Sequence, residues 1–199
     1  MSCARLRADI LAARDAREAA LDQVVGSGTV VFASTAIPGP CKTPPGSGAL
    51  FGWGLAELAG RLGRMETWAR DRDALGPYAI LGTAEPADAV KRACIAIEDS
   101  RPAARLLDLD VYNADGTRLG RIGFGAPPRA CLLCNHPAVD CMRLHRHSPD
   151  RVIDHARHLL ADLLDPALRW SAAPTLCPPP GLGVSGCPNR PTAPALCAL

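Results

Sequence analysis

Apolar residues recur every three to four positions near the start of the chain. Leu6, Ile10, Leu11, Leu21, Val24 and Val25 form a stripe among Arg, Asp and Ala. That period predicts an amphipathic helix over 3–25, ended by Gly26-Ser27-Gly28. Thr29–Thr35 is β-branched and apolar and predicts a buried strand. Residues 37–46 carry several Pro and Gly breakers and predict a loop. A helix follows over 49–64, despite Gly52 and Gly54. Strands over 66–72 and 77–83 join near Leu75-Gly76-Pro77. A helix over 86–99 has Pro86 near its start and Val90, Ala93, Cys94 and Ile97 on one face. Arg105–Tyr112 predicts a strand, Asn113–Gly116 a hairpin turn and 117–122 the returning strand. Pro127-Pro128 breaks the chain, and a last helix runs over 149–164 with Pro149 in its first turn.

Helices alternating with strands, followed by a hairpin, predict an α+β (mixed α/β) domain over 1–170, its mixed sheet flanked by helices. Residues 171–199 are rich in Pro, Gly and Ala without periodicity and predict a disordered tail holding Cys177, Cys187 and Cys197. No internal repeat is visible. No apolar run is long enough to span a membrane, and the N-terminus lacks a signal-peptide core, so a cytoplasmic protein with no membrane partner is expected. A formal net charge of +2 argues against a dedicated nucleic-acid binder. Nine cysteines, an odd number, in such a chain predict thiols rather than a disulfide framework. The isolated Cys3, Cys41 and Cys94 read as small buried or incidental residues.

Three constellations carry candidate chemistry. Asp108 and Asp110 lie two apart in a predicted strand, so both carboxylates leave one face, about 7 Å apart at the backbone. Leu107, Leu109 and Val111 then face a core. Such a pair suits Mg²⁺ in phosphoryl or nucleotidyl transfer, while the bland reading is an exposed strand face. Glu98 and Asp99 end the preceding helix, where the dipole disfavours a carboxylate, which points to a specific partner. The loop after the first strand offers Gly39, for close backbone approach, and Lys42, for a phosphate; it is not a P-loop, and a rigid surface turn would look the same. Lastly, Cys131, Cys134, Cys141 and either His145 or His147 could close a structural Cys₃His zinc site. A redox dithiol and a metal-free thiol cluster are the alternatives, and Arg143, Arg146 and the two histidines make the region cationic and could bind phosphates.

Taken in order, Ile37-Pro-Gly-Pro-Cys-Lys-Thr43, Glu98-Asp-Ser-Arg-Pro102, Arg105-Leu-Leu-Asp-Leu-Asp-Val111 and Pro127-Pro-Arg-Ala-Cys-Leu-Leu-Cys134 through Cys141, Arg143 and Arg146-His-Ser148 resemble the apo-citrate lyase phosphoribosyl-dephospho-coenzyme A transferases, also called citrate lyase holo-acyl-carrier-protein synthases. The resemblance covers residues 5–165. It implies transfer of the prosthetic group from triphosphoribosyl-dephospho-coenzyme A to a serine of the citrate lyase acyl carrier subunit, releasing pyrophosphate. Under it, Asp108 and Asp110 would hold Mg²⁺ in a nucleotidyltransferase-like site, and Lys42, Arg105 and Arg129 become candidate triphosphate contacts. A zinc-stabilised module without catalysis, or a transferase serving a different carrier protein, are the readings that remain beside it.

Overall fold

The computed structural model describes residues 3–164, and side chains from Leu6 onward. The expected tail over 171–199, its three cysteines and the Cys3 thiol lie outside the described residues. The elements are α1 (Cys3–Asp22), β1 (Thr29–Thr35), α2 (Ser47–Leu62), β2 (Glu66–Asp73), β3 (Gly76–Thr83), α3 (Ala87–Glu98), β4 (Leu107–Tyr112), β5 (Arg118–Leu119), α4 (Ala138–Arg143) and α5 (Pro149–Ala161). Short 3-10 turns cover Pro102–Leu106, Arg121–Phe124 and Asp162–Leu164.

The strands stand in the order β2-β3-β1-β4-β5, and every pairing is antiparallel. The expected mixed sheet is therefore corrected, while the α+β class holds. Each helical crossover, β1-α2-β2 and β3-α3-β4, joins strands that run the same way but are not neighbours. β3 lies inside the first and β1 inside the second, which is the split βαβ arrangement. β1 takes the centre because six of its seven residues are buried. An apolar, β-branched strand is most stable with neighbours on both sides.

One face of the sheet carries Val31, Ala33, Ala79, Leu81, Leu107, Leu109 and Val111. Against it pack Leu50, Phe51, Leu55 and Leu58 of α2, Val90, Cys94 and Ile97 of α3, and Leu159 and Leu160 of α5. Cys94 behaves as the small buried hydrophobe expected, and burial, then the nearby Glu98, push its thiol up to about 12. Cys41 is exposed. On α1 the inward positions are Ala13 and Arg17 rather than Leu11, which is exposed. Arg17 is buried because it is fully partnered. It donates to Asp73 Oδ1 and Oδ2 and to the Gly76 carbonyl, each at 2.7 Å, and its guanidinium lies 4.5 Å from the Tyr78 ring centroid.

The returning strand expected over 117–122 shrinks to Arg118–Leu119. After Gly120 the chain turns so that Arg121 reaches Asp99 Oδ1 at 3.0 Å and Glu98 Oε2 at 3.4 Å. The outer edge of β4 before Val111 is thus left without a strand partner. Side chains cover it instead. Leu109 N donates to Glu98 Oε1 at 2.9 Å, Lys91 Nζ donates to Leu109 O at 3.2 Å, and Arg129 donates to Leu107 O at 2.8 Å. Edge strands are commonly protected by charged groups, and here the charges satisfy the backbone directly.

The loop between β1 and α2 is locked at Gly46, which precedes the helix with φ 88°. A Cβ there would lie 2.4 Å from the Leu160 carbonyl oxygen of α5. Gly46→Ala combines left-handed strain with a backbone clash, so we expect a stability loss of about 2–4 kcal/mol in denaturant unfolding. An unchanged midpoint would mean that the loop does not need this approach.

Candidate functional site

Two regions flank the N-terminal half of β4. On the outer face of the sheet, away from the core, stand Asp108, Asp110 and Tyr112, as the alternating burial of β4 requires. Register places Asp108 beside Ser34 of β1, and Ser34 beside Tyr78 of β3. Asp108 pairs with Arg129 at 3.0 Å and Asp110 with Arg118 at 3.4 Å. Burial, followed by the Asp110 carboxylate, raises the proton affinity of Asp108 above that of an ordinary aspartate. Two carboxylates on one strand face, one of them raising the proton affinity of the other, are chemically suited to a cation.

On the other side, a cavity of about 700 Å³ opens where the end of β1 meets the start of β4. Ala36, Ile37, Gly39 and Lys42 come from the β1–α2 loop, Arg105 and Leu106 from the turn before β4, and Val152 and Ile153 from α5. Lys42 donates to the Ile37 carbonyl at 2.8 Å, and burial pushes its amine below the ordinary lysine range. Gly39, at φ 86°, serves an approach of the protein to itself: a Cβ would meet Ile153 Cδ1 at 2.8 Å. Arg105 donates to the carbonyls of Ala130 and Cys131, which ties the cavity wall to the turn.

Arg129 belongs to both regions. It lines the cavity, and its terminal nitrogens are shared among the Leu107 carbonyl, Asp108 Oδ1 and Glu98 Oε1, the last at 2.5 Å. Glu98 is nearly inaccessible; burial raises its proton affinity, and Arg129, the Leu109 amide, Lys91 and Arg121 oppose that rise. The specific partner expected for the α3 carboxylates is therefore present, on Glu98 and Asp99 both. The apolar face of α3 shows Val90, Lys91, Cys94, Ile97 and Glu98 at helical spacing. A charged residue inside such a stripe was the legible signal for Lys91, which sequence reasoning passed over.

The thiol region is a hairpin-like turn closed by Cys131 N donating to His136 O at 2.7 Å and Ala138 N donating to Arg129 O at 2.8 Å. The short α4 was not expected from sequence. It ends with Arg146 N bonded to Cys141 O and with His145 left-handed at φ 47°, the geometry that reverses a chain after a helix. That reversal brings His147, not His145, back to the thiols. The ligand atoms of Cys131, Cys134, Cys141 and His147 all lie within 4.8 Å of one another. Cys134 Sγ is 3.5 Å from Cys141 Sγ and 3.3 Å from His147 Nε2. Tetrahedral zinc with bonds of about 2.0–2.3 Å needs donor separations of roughly 3.5–3.8 Å, so the cluster could hold a metal such as zinc. Desolvation works against ionising Cys131, yet the Leu133 and Cys134 amides aimed at its sulfur bring its pKa below the usual thiol value. In Cys141, desolvation and thiol hydrogen bonding with Cys134 and Cys131 push the pKa up to about 12.

The structure thus brings Gly39, Lys42, Arg105, Arg129, Cys131, Cys141 and His147 around one cavity and leaves Asp108 and Asp110 outside its lining. Arg143 and Arg146 are exposed and do not line it either. Among the described residues, no helix is long and apolar enough to cross a membrane.

Comparison with known proteins bears on what this arrangement serves. A family model described as apo-citrate lyase phosphoribosyl-dephospho-CoA transferase matches residues 6–163. A protein of that name from Escherichia coli O139:H28 (strain E24377A / ETEC) is 31% identical over 161 residues, covering 78% of this chain and 88% of the relative. One from Shigella boydii serotype 18 (strain CDC 3083-94 / BS512) matches with the same identity and coverage.

Proposed function

This chain belongs to the apo-citrate lyase phosphoribosyl-dephospho-CoA transferase family, and from that premise we propose how its residues carry out the transfer. The protein is a transferase that attaches phosphoribosyl-dephospho-CoA to the acyl carrier subunit of apo-citrate lyase. The observation that carries this reading is the span of the match, which includes every element holding the two regions around β4.

The donor is triphosphoribosyl-dephospho-CoA. A serine oxygen of the carrier forms a bond to the α-phosphorus, and the bond from that phosphorus to the α–β bridging oxygen breaks. Pyrophosphate leaves with the electron pair, and the serine proton passes to a carboxylate oxygen of the Asp108–Asp110 pair. The same pair would hold Mg²⁺, which when bound neutralises charge on the triphosphate. Arg129, between the cavity and Asp108, supports the anionic donor and is kept in place by buried Glu98. Arg105 and Lys42 add positive charge to the cavity lining. Cys131, Cys134, Cys141 and His147 would hold zinc as a structural ion, and it would fix the cavity wall.

Purified protein, Mg²⁺, triphosphoribosyl-dephospho-CoA and apo-carrier should release one pyrophosphate per carrier, with the matching mass gain on one serine. No pyrophosphate under these conditions would overturn the reading. Equal transfer to the apo-carrier of an unrelated lyase or decarboxylase would instead identify a transferase of wider carrier choice.

A further inference from the structure

The cavity is lined by both aliphatic and charged side chains. Ile37, Leu106, Leu132, Met142, Val152 and Ile153 supply an aliphatic wall, while Lys42, Glu98, Arg105 and Arg129 stand among the same lining residues. No Phe, Tyr or Trp lines it. The aromatic rings in its lining are the imidazoles of His145 and His147, so aliphatic side chains outnumber the faces on which a base could stack. An aliphatic chain with few polar groups suits such walls, and about 700 Å³ falls within the range of roughly 300–1,000 Å³ that takes small ligands.

We propose that this cavity receives the uncharged pantetheine arm of the donor's dephospho-CoA moiety, entering between α5 and the Cys131–His147 segment. This rests on the transferase reading. The diphosphate joined to that arm then lies beside Arg105 and Arg129. The triphosphate, at the opposite end of the donor, is left free to reach Asp108 and Asp110 across the edge of β4. Arg129 touches both sides of that edge, so a single donor can span the cavity and the outer face of the sheet. Anchoring an arm remote from the reacting phosphorus is a common way to position a reacting centre. Gly39 contributes by letting its loop close on Ile153, one of the aliphatic lining residues.

The test compares equilibrium binding of dephospho-CoA with that of ADP, which keeps the diphosphate and base but lacks the arm. Wild-type protein should bind dephospho-CoA at least about tenfold more tightly, since each buried methylene of the arm adds to the difference. Ile153→Trp fills the cavity from α5 and should erase most of that preference while leaving ADP affinity unchanged. Leu132→Trp, filling it from the segment after β5, should do the same, so a folding failure of one variant leaves the other as the test. A preference retained in a folded variant would overturn the proposal, as would equal loss of both ligands, which would place the base in the cavity. If the wild type transfers the group to its carrier but shows no preference for dephospho-CoA, the arm assignment fails alone. If it releases no pyrophosphate at all, the transferase reading fails and the assignment with it.

Discussion

Asp108→Asn should lower prosthetic-group transfer by at least about a thousandfold, matching the several kcal/mol a well-placed metal ion contributes to a developing charge. Asp110→Asn should do likewise. Neither change should unfold the protein. Both side chains leave the outer face of β4, while Leu107, Leu109 and Val111 keep the core face intact. The sign of the stability effect can be worked out for Asp108. Its native proton affinity is raised above the ordinary aspartate value of 3.8, so the native state binds the proton more tightly than the unfolded chain does. Stability from this group is then lost as pH rises above 3.8 through the native value, and at neutral pH the ionised carboxylate is a cost. Replacing it with neutral Asn should leave the melting temperature at pH 7 unchanged or higher. Pyrophosphate release and calorimetry on the same preparation separate the two effects. Transfer within tenfold of wild type in both variants would remove the Asp pair from the mechanism.

Metal removal should give the second large effect. One zinc per chain is expected by elemental analysis, lost in Cys134→Ser and in Cys141→Ala. Structural zinc contributes about 10 kcal/mol or more in small finger peptides that have no other core. Here the sheet and its helices form a separate core, so the loss should be on the order of 4 kcal/mol and concentrated in residues 129–148. Hydrogen exchange should show amides such as Cys131 and Ala138 losing protection, while those of β1 and β3 keep theirs. Because Arg105 is anchored on the Ala130 and Cys131 carbonyls, transfer should fall as well. Wild-type protein that contains no zinc and melts identically with and without chelator would leave the four residues a thiol cluster only.

The sequence by itself determined most of the local elements, α4 and the length of β5 excepted, because their signals are local. Thr29–Thr35 has the apolar, β-branched composition of a buried strand and is one. The alternation of β4 placed Asp108 and Asp110 on one face before any coordinates were needed, since side chains two apart in a strand always share a side. The spacing of Cys131, Cys134 and Cys141 marked a soft-metal donor set, and the ordered motifs marked the family. Sheet order was not local. A strand-helix-strand run looks the same whether its strands are neighbours or have another strand between them, and only the burial of β1 by both β3 and β4 resolved that. The choice between His145 and His147 turned on a chain reversal after α4 that no spacing reveals. Tertiary structure alone decided that Glu98, Lys91 and Arg129 stand in for a missing strand at the edge of β4. The reason is physical: a backbone amide left bare must find a partner, and which side chain supplies it depends on what the fold brings near. The same folding put Arg129 between the aspartates and the cavity, making one candidate site out of motifs that lie apart along the chain.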